Sequence, residues 1–409
     1  MKRLHKSVRT GKKLVKAFYD RPHDKSYYLG CSLGGRQGIK AAEKFPGDFN
    51  GIVAGAPALD FNNLASWRAS FYPITGAVGS PDFISASTWT SLIHNEVLSQ
   101  CDGIDGVVDG IIEDPNLCDF HPETLLCIDE NNSVDCLTSI QVEKVRKIFS
   151  PLYSEDGHLI YPAMQPGSEI MAVTGLYAGE PFSYSEVHSS PVAFWLPLFI
   201  TQFSPSPYPN PLTRYPQDWF KYVIYSNPLW DASTFSSLDA TTADTLNPAN
   251  IRTWPTSHEL VAFRHAGGKI LSYHGGQDNQ ITSFQSERFY WRLRERLHSY
   301  VDAGFEEGTE FEPSGTFHSD DASFQALDVF FRLFRVPGMF HCNSGPGAWV
   351  LGQGGGASAA GIPFAPYQNV LAALVAWVEE GEAPETIGGV KFVEDMVDRG
   401  IAMERRHCR

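Results

Sequence analysis

The stretch Tyr27-Tyr28-Leu29-Gly30-Cys31-Ser32-Leu33-Gly34-Gly35-Arg36-Gln37-Gly38 decides how the chain folds. Residues 27–29 form a short β-prone run that breaks into a glycine-rich turn. Residues 39–45 read as a helix closed by Pro46-Gly47. Gly51-Ile52-Val53-Ala54 is an apolar run of the kind buried on both faces of a parallel sheet. This strand–turn–helix–strand rhythm predicts an α/β architecture.

At the turn, Gly30-Cys31-Ser32-Leu33-Gly34 fits G-x-S-x-G. A sharp strand-to-helix turn forces its central serine into strained backbone angles, so close neighbours must be small. The same turn lifts the hydroxyl above the sheet and aims helix N-terminal N–H groups at developing negative charge. Ser32 is therefore the candidate nucleophile, and the Leu33 N–H the candidate oxyanion donor. A glycine-rich turn with an incidental serine is the bland alternative, and the strand–helix context argues against it.

An acid and a histidine should follow in that chain order, each on a loop after a later strand. Residues 269–273 read as such a strand, and His274-Gly275-Gly276-Gln277-Asp278 as its exit loop, which makes Asp278 the acid. His274 sits too near the strand end and reads as structural. Residues 328–336 read as the next strand, and Pro337-Gly338-Met339-Phe340-His341 as its exit. Of 13 histidines, His341 alone combines a post-strand loop with the required order. It would deprotonate Ser32 while Asp278 fixes its tautomer. Cys31 precedes Ser32 and Cys342 follows His341; if they pair, the bridge ties the nucleophile's turn to the base's loop. Together these features predict an α/β-hydrolase fold.

The 409 residues are long for one core and predict a catalytic domain (1–60 and 251–409) interrupted by a lid (61–250). The lid segment is rich in proline, aromatic residues and cysteine, without a steady period, and reads as largely irregular. Beyond it come a helix at 259–265, a long polar helix at 283–301 and a closing helix at 370–380. A net charge of −15 gives no reason to expect nucleic acid or an anionic membrane as partner. The longest apolar runs, 191–200 and 370–378, are too short to span a bilayer. Four of seven cysteines fall between 101 and 136 without C-x-x-C spacing, which favours disulfides and an oxidising compartment over reduced, buried cysteines in a cytosolic enzyme. The odd count leaves one unpaired. Residues 1–20 are basic, lack the apolar core of a secretory signal and read as an amphipathic helix, with a transit peptide as the alternative.

These residues resemble the tannase and feruloyl esterase family of secreted esterases. The resemblance rests on Gly30–Gly38, on the 274–278 loop, on Phe340-His341-Cys342, and on FPGDFNGIVAGAP (45–57), NPLWDAST (227–234) and PGAWVLGQ (346–353). It implies a Cys31–Cys342 disulfide and lid disulfides Cys101–Cys118 and Cys127–Cys136, leaving Cys408 as the odd cysteine. Each lid bridge would contribute on the order of 3 kcal/mol in the chain-entropy model. It also implies a structural calcium ion held by Asp102, Asp105 and Asp109 with the carbonyls of Val107 and Ile111, hard oxygen donors of the kind Ca²⁺ takes. On pattern alone, a solvated acidic turn explains that segment equally. Only 31 residues precede Ser32, where the fold usually places several strands and a second oxyanion donor, so the chain reads as a member shortened at both ends. The implied activity is release of ferulic-type acids from an aromatic ester or feruloylated polysaccharide of plant cell walls. A tannase acting on galloyl esters, or an inactive fragment, are the alternatives.

Overall fold

The computed structural model describes residues 1–76, 79–128, 135–174, 211–253, 260–301, 326–353 and 361–409; the apolar run at 191–200 lies outside them. Among the described residues, the strands in chain order are β1 Tyr27–Cys31, β2 Gly51–Gly55, β3 Leu152–Tyr153, β4 Leu159–Tyr161, β5 Lys269–Gly275, β6 Phe331–Val336, β7 Thr386–Phe392 and β8 Ile401–Cys408. The chain divides into two compact units. One comprises Met1–Leu59, Thr253–Gly275 and Gln285–Arg409, and the other Asp60–Arg252 and Gly276–Phe284.

The first unit is built on a sheet of order β1-β2-β5-β6, with every pair parallel. Side chains alternate between its faces, as the two-residue period of a strand requires. Ile52, Ala54, Ile270 and Phe331 join Ile39 and Phe289 in one core. Val53, Leu271, Tyr273, Phe334 and Val336 join Trp349, Leu374 and Trp377 in the other. Both faces are thus covered, which is why the central strand β2, GIVAG, is a continuous, fully buried apolar run. This is the α/β-hydrolase type of architecture that the sequence predicts. Helix α2, Leu33–Lys44, lies close on β1 and β2; a Cβ on Gly38 would come within 2.8 Å of Ile52 Cγ2. Helix α1, Lys2–Tyr19, packs Leu4 and Val8 on the first core but leaves Leu14 and Phe18 exposed.

Three boundaries differ from the sequence reading. Strand β5 runs on to Gly275, because His274 and Gly275 pair in register with Arg335 and Val336, so His274 lies in the strand and not in its exit loop. Strand β6 begins only at Phe331. The antiparallel pair β7–β8 was not foreseen: β8 is the charged, largely exposed run IAMERRHC, which lacks the apolar alternation that marks a half-buried strand.

The second unit is more regular than a loop-rich lid. Helix α3, Phe61–Thr75, has thirteen buried residues. A helix covered on nearly every face has no polar stripe, so it shows no 3.6-residue period in sequence. Two further helices, Ser139–Ile148 and Ser237–Leu246, start with capping boxes, Thr138 with Gln141 and Ser236 with Asp239. Short 3₁₀ and π turns, and the small antiparallel pair β3–β4, fill much of the remainder. Segment 276–284 belongs to this unit, whereas the sequence reading assigns it to the catalytic domain. No helix among the described residues is long and apolar enough to cross a membrane.

Candidate active site

Ser32 stands between β1 and α2 with φ 62° and ψ −123°, a conformation that L-residues avoid. Its surroundings over-determine it. The Ser32 N–H donates to the Gly55 carbonyl at 2.9 Å, and the Ser32 carbonyl accepts from Arg36 at 3.0 Å and Ala58 at 3.1 Å. Strain of this kind persists where structure enforces it and is concentrated at reactive positions. Gly30 and Gly35 are the glycines that permit the turn. A Cβ on Gly30 would sit 2.8 Å from the backbone of Gly34, and one on Gly35 would sit 2.5 Å from the Gly55 carbonyl oxygen. Gly34, the second glycine of the motif, is under no such constraint; its nearest neighbour would be the Tyr28 hydroxyl at 3.7 Å. That hydroxyl donates to the Gly34 carbonyl at 2.9 Å, and burial pushes its pKa up. Leu33 is the first residue of α2, so its N–H has no partner one turn back within the helix.

His341 follows β6 on a loop that turns back tightly. Cys342 and Ser344 take φ 67° and 63°, and Gly345 φ 120°. Phe340 N–H donates to the Ser344 carbonyl, and Gly347 N–H to that of Gly338, each at 3.0 Å. The end of β5 leaves room only for hydrogen beneath it: a Cβ on Gly275 would lie 2.3 Å from the Met339 carbonyl oxygen. Three side chains hold the loop from later in the sequence. Gln353 Nε2 donates to the Cys342 carbonyl at 3.3 Å, and Lys391 Nζ to the Gly345 carbonyl at 2.6 Å. His407 Nε2 stands 2.8 Å from the Ala348 carbonyl. Burial holds the His407 pKa below its ordinary value, which leaves it a neutral donor.

The disulfide Cys31–Cys342 joins these two loops across 311 residues, with Cα atoms 5.9 Å apart. It therefore brings Ser32 and His341, each adjacent to a bridged cysteine, into one neighbourhood. Asp278 comes three residues after the end of β5, on the 276–284 segment. It is fully buried, and its Oδ1 accepts the N–H groups of Gln280 at 2.8 Å and Ile281 at 3.0 Å. Gln165 Nε2 donates to its backbone carbonyl at 2.6 Å. His274 is buried in β5 with Nδ1 2.7 Å from Ser286 Oγ, a structural position. Sequence reasoning missed Gln353 and Lys391. Gln353 closes the PGAWVLGQ stretch and was open to suspicion, whereas nothing local marks Lys391.

Disulfides Cys101–Cys118 and Cys127–Cys136 are formed, and Cys408 is free and exposed. In the acidic loop, buried Asp102 accepts N–H groups from Asp109 and Gly110. Asp105 Oδ1 accepts from Val107, and Asp109 Oδ1 from Ile111. The carboxylates thus fold the loop on its own backbone. Among the described residues, no three His, Cys, Asp or Glu side chains converge on a point that would hold a metal.

A family model described as tannase and feruloyl esterase matches residues 1–403. A probable feruloyl esterase B-2 of Aspergillus flavus is 52% identical over 406 residues, 99% of this chain and 67% of that protein. The crystal structure of feruloyl esterase B from Aspergillus oryzae is similar with a TM-score of 0.78 at 38% identity, covering 99% of this chain and 69% of that one. A tannin acyl hydrolase from Aspergillus niger shares the fold, with a TM-score of 0.63 at 21% identity over 94% of this chain and 61% of that one. The chain spans about two thirds of the length of the relatives it matches.

Proposed function

The chain belongs to the tannase and feruloyl esterase family of carboxylic ester hydrolases, and we propose on that premise that it releases ferulic-type acids from plant cell-wall esters. The observation that carries the reading is Ser32, held at φ 62° on a strand–helix turn and bridged through Cys31–Cys342 to the loop of His341. Ser32 Oγ attacks the ester carbonyl while His341 accepts its proton. The Leu33 N–H stabilises the oxyanion, since a donor aimed at charge that develops in the transition state is worth several kcal/mol. The C–O bond to the alcohol then breaks, and the imidazolium returns the proton to the leaving oxygen. Water, deprotonated by His341, attacks the acyl carbonyl; Ser32 Oγ departs, takes the proton back from the imidazolium, and the acid is freed. Asp278 keeps the imidazole in the productive tautomer and balances its charge.

A ferulic over a galloyl acyl group is favoured because the feruloyl esterase relatives are 52% and 38% identical, against 21% for the tannin acyl hydrolase. Rates on methyl ferulate and methyl gallate test this choice. Preference for the gallate would reverse it, and no turnover of either would leave a folded but inactive chain. The Ser32→Ala protein should fold and lose activity by several orders of magnitude; a variant that keeps most of its parent's rate would sink the mechanism.

Three disulfides fit an oxidising compartment, and from them we infer a secreted protein, whose likeness to feruloyl esterases favours feruloylated polysaccharide such as xylan as its substrate. We also propose that the 101–111 loop takes Ca²⁺ as a structural ion. The donor chemistry of Asp102, Asp105, Asp109 and the carbonyls of Val107 and Ile111 fits a hard cation. The exposed Asp105 and Asp109 would have to turn from their own backbone to reach it. Chelation should then lower the Tm while leaving kcat on methyl ferulate within about twofold, by the mass-action linkage of a ligand to the folded state. Metal analysis that finds no calcium in protein purified without chelator would make the segment a plain acidic turn.

A further inference from the structure

Arg68 lies within α3, where its side chain is almost wholly buried. Its Nε donates to the Gln280 carbonyl at 2.9 Å, and Nη2 donates to the same oxygen. The N–H of that same residue, Gln280, donates to Asp278 Oδ1. One residue is thus gripped on its carbonyl by a guanidinium and on its amide by the candidate acid of the triad. Among the described residues Arg68 forms no direct ion pair with a carboxylate; its two hydrogen bonds both go to the Gln280 carbonyl. A buried cation is costly unless a counter-charge answers it. Burial weakens the hold of Arg68 on its proton, and Tyr161, Asp278 and Tyr215 oppose that loss. Of these three groups, Asp278 is the only carboxylate. Asp278 is therefore the counter-charge.

We propose that Arg68 is a positioning residue of the reaction, which fixes the Asp278 turn through Gln280 and supplies the positive charge that favours the carboxylate form of Asp278. This rests on the reading of Asp278 as the acid of the triad. The favoured carboxylate is what the mechanism needs, because a protonated acid cannot balance an imidazolium. Arg68 reaches no substrate in this account and acts through Asp278 alone.

The experiment is a double-mutant cycle on the full chain, with methyl ferulate as substrate. Arg68→Gln should lower kcat roughly tenfold to a hundredfold with KM little changed. It should also move the acidic limb of the kcat/KM profile about one pH unit toward neutrality, since loss of a cation makes a carboxylate harder to ionise. Arg68→Lys keeps the charge and should restore the limb to its parent position. In an Asp278→Asn background, Arg68→Gln should cost nothing further, because the charge it serves is gone. An equal loss in both backgrounds, or an unmoved acidic limb, would reduce Arg68 to a packing role and overturn the proposal. If Arg68→Gln fails to fold, the same cycle is run with Arg68→Lys, which loses the two-pronged grip on Gln280; a loss that persists undiminished beside Asp278→Asn overturns the proposal. The underlying reading fails separately, when Asp278→Asn alone retains near-parent activity.

Discussion

On the Ser32 side of the Cys31–Cys342 bridge the backbone is held by backbone groups of β2 and the residues just after it, whereas on the His341 side the anchors are side chains, two of them from β7 and β8. The strained serine is made possible by Gly30 and Gly35, which leave no room for a Cβ. The histidine loop contains left-handed residues as well, Cys342 and Ser344, yet its anchors come from Gln353, Lys391 and His407. The serine-side device needs only β1, α2, β2 and the residues just after β2, since Gly55 and Ala58 hold the Ser32 backbone. A distributed one depends on strands β7 and β8 being in place, and it offers many positions at which the His341 loop can be loosened from a distance. The disulfide is where the two designs meet.

The largest effect should follow from cutting that meeting point. In a Cys31→Ala/Cys342→Ala protein the two loops are joined only through noncovalent packing, and the bridge closes a very long loop, worth on the order of 5 kcal/mol in the chain-entropy model. We expect the Tm to fall by many degrees. At temperatures where the variant stays folded, kcat should drop by about a hundredfold, the scale that a 1 Å misplacement of a reacting group costs. Parent-like kcat in a folded double variant would mean that Gln353, Lys391 and His407 suffice to place His341.

A smaller effect separates the two glycines beside the serine. Gly35→Ala pushes a methyl group against the Gly55 carbonyl, the oxygen that accepts the Ser32 N–H, and overpacking of this sort costs about 1–3 kcal/mol. Stability and activity should fall together. Gly34→Ala meets ordinary contact distances and should be near neutral in both. Denaturant melts and methyl ferulate rates on the pair would settle it; equal damage from both would show that the motif glycines act through backbone freedom rather than space.

The same contrast explains how much could be read beforehand. Strand β1, the turn at Ser32, helix α2 and strand β2 are local, apolar and punctuated by glycine and proline, so their order and the place of Ser32 on the turn were legible. The long helix Ser283–Val301 was legible to its bounds, because a 19-residue polar helix carries its own period. Helix α3 was not, since burial on nearly every face erases the polar stripe. Nor was the β7–β8 pair, where Gly388 and Gly389 interrupt one strand and charged residues fill the other. Gly389 is there because a Cβ would meet the Ala348 carbonyl at 2.1 Å and His407 at 2.5 Å, a constraint set by partners some 20 to 40 residues away in sequence. The place of Asp278, on the loop that follows β5, was legible by chain order. The hydrogen bonds that Gln165 and Arg68 make to the carbonyls of Asp278 and Gln280 were not, because both donors lie more than 100 positions earlier.

The smallest effect is a pH dependence on the histidine side that the serine side should lack. His407 is buried against Ala348, and burial, the dominant influence, lowers its pKa; the Ala348 carbonyl opposes this and the charge of Arg405 adds to it. The folded protein therefore prefers the neutral ring. Above about pH 6.5, the ordinary histidine pKa, the ring is neutral whether the chain is folded or not, and it contributes nothing to the pH dependence. As the pH falls below that value the unfolded chain takes up the proton first, and stability declines until the folded-state pKa is reached. The limiting slope is one proton, about 1.4 kcal/mol per pH unit. A His407→Gln protein keeps a donor for the Ala348 carbonyl but has nothing to titrate. Between pH 6.5 and 5 its stability should fall less steeply than that of its parent. Urea melts across that range measure the difference directly. Parallel curves would mean that His407 becomes protonated in place, and that the histidine loop is insensitive to the charge of the ring that braces it.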